Sequence, residues 1–255
     1  MPFSDTETKK TEYNKPVFLD LKPGLHTIRI LENNIEPVNV HGFIKGKYTV
    51  KCLGDACPIC ADNHRIYMEN PDSYRDISGY SPKSKRYIFN VLDRTPVKIC
   101  TNCGAENPKV TSSFPTSCFS CSTIIVNEKP KPAMKVKLLS CGVKLATAIN
   151  SIDKTVNTDD GEPIGFTNYD IKLSVEGTGK TRNIIPIPTD NRDSVEVPVD
   201  AMQDVAKGVM VLSADEIVEL LKGVQLKDIL KARGSSGKSD TDIDDDDIVD
   251  RVLGN

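Results

Sequence analysis

Seven of the eight cysteines fall into two groups between residues 52 and 121. The first is Cys52, Cys57 and Cys60; the second is Cys100-x2-Cys103 followed by Cys118-x2-Cys121. Thiolates at such spacing converge on one tetrahedral ion, and zinc is the usual one. Each CxxC makes a knuckle, and the 14 residues between Cys103 and Cys118 let two knuckles meet. The second group is therefore a closed four-thiolate zinc ribbon over residues 98–123. The first group lacks a fourth ligand, and spacing offers two: His41, ahead of Cys52, and His64, four residues after Cys60. His26 reads as an ordinary strand side chain and Cys141 as a buried, inert thiol. Two zinc ions per chain are expected.

Other chemistry is scarce. Ser174-Val-Glu-Gly-Thr-Gly-Lys-Thr181 approaches a phosphate-binding loop, but such a loop must open a helix, and Pro186 and Pro188 forbid one of any length. A glycine-rich hairpin turn is the expectation there. No acid–base or nucleophile set stands out, and neither cysteine group leaves an evident open coordination position, so a non-enzymatic protein is expected.

Charge points to a polyanion. The net charge of −3 conceals 16 Lys and Arg against 8 Asp and Glu in residues 41–145, a balance of +8. Seven thiolates less two zinc ions would remove about 3 of that. The C-terminal stretch holds Asp240, Asp242, Asp244, Asp245, Asp246, Asp247 and Asp250 against Lys238 and Arg251, a balance of −5. Single-strand nucleic-acid binding combines cations for phosphates with flat rings for bases. Lys45, Lys47, Tyr48 and Lys51 precede the first cluster; Tyr80, Lys83, Lys85, Arg86, Tyr87 and Phe89 follow it; Lys135, Lys137 and Lys144 follow the ribbon. The rings can stack bases or fill the core, and the lysines can be a solvated face.

The elements that must position these residues are mainly β. The 255 residues are 38% hydrophobic and lack Trp, a lean core that metal binding would reinforce. Strands are expected over 17–21, 26–31, 47–51, 86–93, 134–139, 169–175 and 182–187, and helices over 61–69, 143–152 and 214–232, the last opened by the capping box Ser213–Glu216. His41 is expected in a loop before the Tyr48 strand. Short strands with few helices predict an OB-like small barrel with an inserted zinc subdomain (41–69), the ribbon (98–123), a C-terminal helical segment (201–233) and a flexible acidic tail (234–255), residues 1–15 being disordered and 16–200 forming the core. The absence of a signal peptide or a long apolar run, together with CxxC pairs, points to a reducing, cytoplasmic setting away from membranes.

This combination resembles the single-stranded DNA-binding (helix-destabilising) proteins of tailed phages of the T-even type. The residues carrying the resemblance are Leu21-Lys-Pro-Gly-Leu-His-Thr-Ile-Arg-Ile-Leu31, His41, Cys52, Cys57-Pro-Ile-Cys60, Arg86-Tyr-Ile-Phe-Asn-Val-Leu92, Tyr169-Asp-Ile-Lys-Leu-Ser-Val-Glu-Gly177 and the acidic tail. It covers roughly residues 16–190 plus that tail. The resemblance implies an OB fold, a zinc site of one histidine and three cysteines with His41 as the fourth ligand, and a basic, aromatic cleft coating single-stranded DNA in replication, recombination and repair. It also implies a host-cell cytoplasmic setting and an acidic tail that recruits replication and recombination proteins and competes with DNA. Two features depart from it. The ribbon is not part of the pattern, and the N-terminus offers only Lys9 and Lys10 where the family carries a basic helical motif for filament formation. A monomer in solution is the expected state, and the missing motif leaves filament formation along single-stranded DNA an open alternative. The alternative reading is a zinc-ribbon transcription or recombination accessory factor acting through protein contacts.

Overall fold

The computed structural model describes residues 16–44, 48–109, 113–157 and 161–235. The expectations for Lys45, Lys47, the N-terminal 15 residues and the acidic run lie outside them. In chain order the strands are β1 (Gly24–Ile30), β2 (Pro37–Ile44), β3 (Tyr48–Lys51), β4 (Lys83–Asp93), β5 (Pro96–Ile99), β6 (Glu106–Pro108), β7 (Lys131–Pro132), β8 (Lys135–Gly142), β9 (Ile171–Glu176) and β10 (Asn183–Pro188). The helices are α1 (Pro58–Glu69), α2 (Val143–Asp153), α3 (Ala214–Lys222) and α4 (Leu226–Ser235).

The architecture turns on β4. One edge serves two partners: Lys83–Tyr87 pair with β2, and Val91–Asp93 pair with β1. The other edge pairs with β8 from Arg86↔Gly142 to Asp93↔Lys135. Beyond β1 the sheet continues through β9 to β10, all antiparallel. The fold is thus mainly β with antiparallel sheets, and among the described residues no barrel closes: β10 and β8 each end an arm of the sheet. Pro186 and Pro188 sit on β10, and a strand with two residues lacking N–H is a poor template for a further pairing.

Alternation along the strands aims Ile28, Ile30, Phe89, Val91, Leu139, Ile171, Leu173 and Val175 at one face, which Leu145 and Ile149 of α2 cover. The opposite face of β4 and β8 presents Ile88 and Leu138 to Val209. There Gly208 approaches so closely that a Cβ would lie 2.8 Å from Ile88 Cγ2. A third core joins Ile44, Tyr48, Val50 and Ile59 to Leu212, Ile217, Leu220, Leu226 and Ile229, fastening α3 and α4 onto the β3–α1 region.

Two expectations change and one holds. The helix expected over 214–232 is two helices, because Gly223 takes φ 102° as a left-handed cap that ends α3; α4 runs through Ser235, two residues into the stretch expected as a flexible tail. The segment 17–21 forms no strand, only a bridge from Phe18 to Leu138. The Gly177–Thr181 turn is a hairpin connection, as expected: Gly177 has φ 72°, and a Cβ there would meet the Thr181 carbonyl oxygen at 2.8 Å.

Away from the cores, buried charge ties distant segments together. The Arg29 guanidinium, 2% exposed, donates to Asp170 at 2.8 Å and to the Asp193 carbonyl at 2.7 Å. Arg94 bridges both carboxylates, at 3.2 Å to Asp170 and 2.7 Å to Asp193. This pins the chain after β10 across β1 and the end of β4.

Candidate metal centres and the surface beside them

His41 lies on β2, not in a loop, opposite Val50 of β3. The register turns it toward Cys52, just past β3, and toward Cys57 and Cys60 at the start of α1. Their ligand atoms all lie within 4.8 Å of one another. Cys52 and Cys60 sulfurs are 3.7 Å apart and His41 Nε2 is 3.3 Å from Cys60 Sγ. A tetrahedral ion with sulfur arms of about 2.3 Å requires sulfurs about 3.8 Å apart, so the donor set fits a metal. His64 is exposed on α1 and outside the cluster.

Local folding prepares this site. Cys57 caps the N-terminus of α1 with Pro58 as the first helical residue, the arrangement in which a missing N–H costs nothing. Burial opposes ionisation of Cys57, but the nearby backbone of Leu53, Cys60 and Ile59 and the Cys52 sulfur hold its pKa below the ordinary value. Burial, reinforced by Cys52 and Cys57, pushes the Cys60 thiol up to about 12. A cation bound among the sulfurs would offset that penalty and favour the thiolate form. Burial holds His41 below its ordinary pKa, which keeps the imidazole neutral and able to coordinate. Its Nδ1–H donates to the Ser81 carbonyl at 2.9 Å, leaving Nε2 for the ion. Ser81 is itself clamped: Asn63 Nδ2 donates to its carbonyl at 2.6 Å, its N–H donates to Asn63 Oδ1 at 3.0 Å, and its hydroxyl donates to the Gly42 carbonyl at 2.7 Å. Ser81 and Asn63 carry no motif of their own, and their roles follow from the fold alone.

Cys100, Cys103, Cys118 and Cys121 form the second cluster, with Cys100–Cys121 and Cys103–Cys118 sulfurs both 3.6 Å apart. Its knuckles repeat one geometry. Gly104 N–H donates to the Cys100 carbonyl at 2.8 Å, and Ser122 N–H to the Cys118 carbonyl at 2.9 Å. Both donors are left-handed, with φ 71° at Gly104 and φ 59° at Ser122. The Thr123 hydroxyl and N–H beside Cys121 draw its thiol down to about 6. Asn107, fully buried, orients the second knuckle by accepting from Phe119 N–H at 2.9 Å and donating to the Ala105 carbonyl at 2.9 Å. Lys98, though buried, caps the Ile125 and Val126 carbonyls at 3.0 and 2.7 Å.

The expected nucleic-acid contacts divide. Phe89 (1% exposed) and Tyr48 (8% exposed) fill cores, which corrects their reading as base-stacking rings. Alternation alone did not show which face of β4 the helix α2 would cover. Tyr87 packs partly against the same core. Lys51, Lys83, Lys85 and Lys144 are exposed and Arg86 is half-buried. Lys135 pairs with Glu106 and Lys137 with Asp93, 2.8 and 2.7 Å apart, so their charge is partly spent within the fold. Cys141 is buried, as expected, and burial pushes its thiol up to about 12.

Tyr80 belongs to a ring cluster that sequence reading missed. Tyr67 meets Tyr74 edge-on at 5.2 Å, Tyr74 meets Tyr80 at 5.0 Å, and the Arg75 guanidinium lies 5.5 Å from the Tyr74 centroid. The signal was the recurrence of Tyr at 67, 74 and 80 just before Lys83 and Lys85.

No protein-family model matches the chain, and no curated protein matches it. No helix among the described residues is long and apolar enough to cross a membrane.

Proposed function

We propose that this chain is a non-enzymatic, sequence-independent single-stranded DNA-binding protein of the tailed-phage, T-even type, holding one zinc ion in each cluster and acting in replication, recombination and repair. The observation that carries the reading is strand order. The order β8–β4–β1–β9–β10, with α2 between β8 and β9, supports that reading, because an OB barrel would set five strands beside these same neighbours and add a closing pair, which is not formed among the described residues. OB folds bind oligonucleotides across the second and third strands and the loops beside them. In this chain the loop between the first two of those five strands in sequence is expanded into the His41–Cys60 metal region, and it carries Tyr67, Tyr74 and Tyr80 next to exposed Lys83 and Lys85. Stacking on tyrosines and counterion release by lysines would give binding that falls steeply with salt. The acidic run 240–250, tethered after α4, would compete with DNA for that surface and recruit replication and recombination partners.

The test is a titration of single-stranded and duplex oligonucleotides at several salt concentrations, followed by tyrosine fluorescence. A strong single-strand preference with a steep salt slope is expected. Preference for duplex DNA, or no salt-dependent binding, refutes the proposal. Duplex preference would favour the second reading, a zinc-ribbon accessory factor of transcription or recombination, which the extra four-cysteine ribbon supports.

A further inference from the structure

The two metal centres are protected very differently. At the first, His41, Cys52 and Cys57 are buried and Cys60 is partly exposed, and α3 and α4 close over the β3–α1 core to which Cys52 and Cys57 belong. At the second, Cys103 is exposed and Cys121 partly so. Among the described residues, the hydrophobic cluster at that second centre has just Cys100, Cys118 and Ile125 buried, with Ala105 and Cys121 partly so. The Cys118 sulfur lies 3.6 Å from that of Cys103 and is held in place by the Ser120 N–H. An exposed cysteine that would be ionised as a metal ligand, with a second ligand sulfur this close, is the arrangement that peroxide converts to a disulfide.

We propose that the four-cysteine centre is an oxidation site for hydroperoxides, with Cys103 as the residue attacked and Cys118 as its resolving partner. The Cys103 thiolate attacks the terminal peroxide oxygen, the O–O bond breaks, and hydroxide (from hydrogen peroxide) or alkoxide (from an organic hydroperoxide) leaves, giving a sulfenic acid. The Cys118 thiolate then attacks that sulfur, forming the disulfide and expelling hydroxide. Two electrons pass from the two thiolates to the peroxide. An ion held there would be left with two of its four thiolates and would be released, and the ribbon would lose a staple that its small hydrophobic cluster does not replace. The other cores contain none of these four cysteines, so the main sheet and the first centre persist. The inference rests on metal occupancy of the ribbon and not on DNA binding, and its test involves no DNA.

The experiment treats the full zinc-loaded chain with dilute hydrogen peroxide, reads zinc release with a chromophoric chelator and maps disulfides by mass spectrometry without reduction. One equivalent should leave at least about tenfold faster than the other, with Cys103–Cys118 as the first disulfide. Loss of both ions together, retention of both, or a first disulfide lacking Cys103 overturns the proposal. Cys103→His keeps four ligands while removing the exposed thiolate, and should slow the fast release about tenfold; an unchanged fast phase also overturns it. If the variant does not bind a second ion, the disulfide map of the unaltered chain decides.

Discussion

Replacing Asn63 with Ala should weaken metal binding at the first centre while leaving the second untouched. Asn63 touches no ion. It exchanges two hydrogen bonds with Ser81, at 2.6 and 3.0 Å, and Ser81 accepts the His41 Nδ1–H. Each hydrogen bond contributes about 0.5–1.5 kcal/mol net, so losing both costs about 1–3 kcal/mol. Only part of that cost is borne by the ligand geometry. Groups that orient metal-bound histidines typically contribute about 10–100-fold in affinity, equivalent to about 1.4–2.7 kcal/mol, and the two estimates agree. Competition against a chromophoric chelator resolves the two binding steps. The expected result is a fall of about 10–100-fold in the first-centre step alone. Unchanged affinity would show that Ser81 holds the imidazole without Asn63. An equal fall at both centres would show a global defect and refute the orienting role.

Other consequences are open to measurement. The Arg94 guanidinium, with Arg29 beyond it, holds Asp193 down to about 2, against about 3.9 in an unfolded chain. A carboxylate depressed on folding contributes stability above its unfolded pKa and loses it as pH falls through the folded one. Denaturant unfolding should therefore lose stability between about pH 4 and pH 2, and Asp193→Asn should flatten that slope; an identical slope argues against it. Ser122→Gly relieves the left-handed φ of 59° and should stabilise the ribbon by about 1 kcal/mol, seen as slower hydrogen exchange across 116–125. Gly104→Ala should destabilise it by a similar amount, since a Cβ there meets nothing within 4 Å and only the backbone is strained. Gly208→Ala forces a Cβ against Ile88 and Leu138 and should cost about 1–3 kcal/mol in thermal or denaturant unfolding.

What could be read in advance follows the range of the interactions. The ribbon was legible because its ligands come in adjacent pairs. Spacing alone admits both His41 and His64; the resemblance pointed to His41, and the β2–β3 register is what brings it to the sulfurs. The strand carrying His41 was itself overlooked, although Val38 and Val40 alternate with polar neighbours. Gly223 was in plain view and still lost to the amphipathic pattern running through it. The Arg29–Asp170–Arg94–Asp193 cluster left no local trace, because its bonds span between 76 and 164 residues. Burial of Phe89 and exposure of Tyr67 likewise depend on which faces α2 and α1 leave open.

The attachment of the ribbon has a consequence for how such a chain can be built. Ala133 N–H donates to the Thr95 carbonyl at 3.2 Å, and immediately beyond them Asp93 faces Lys135 in the β4–β8 ladder. The two stems of the insertion therefore stand as close as the arms of an ordinary hairpin. A two-residue Asn-Gly turn can join them in place of residues 96–132, with no strand rethreaded. The four-cysteine module is in this sense an appendage on a hairpin that is already complete. The His41 centre differs: it shares its core with the C-terminal helices, so removing it would strip the support from α3 and α4.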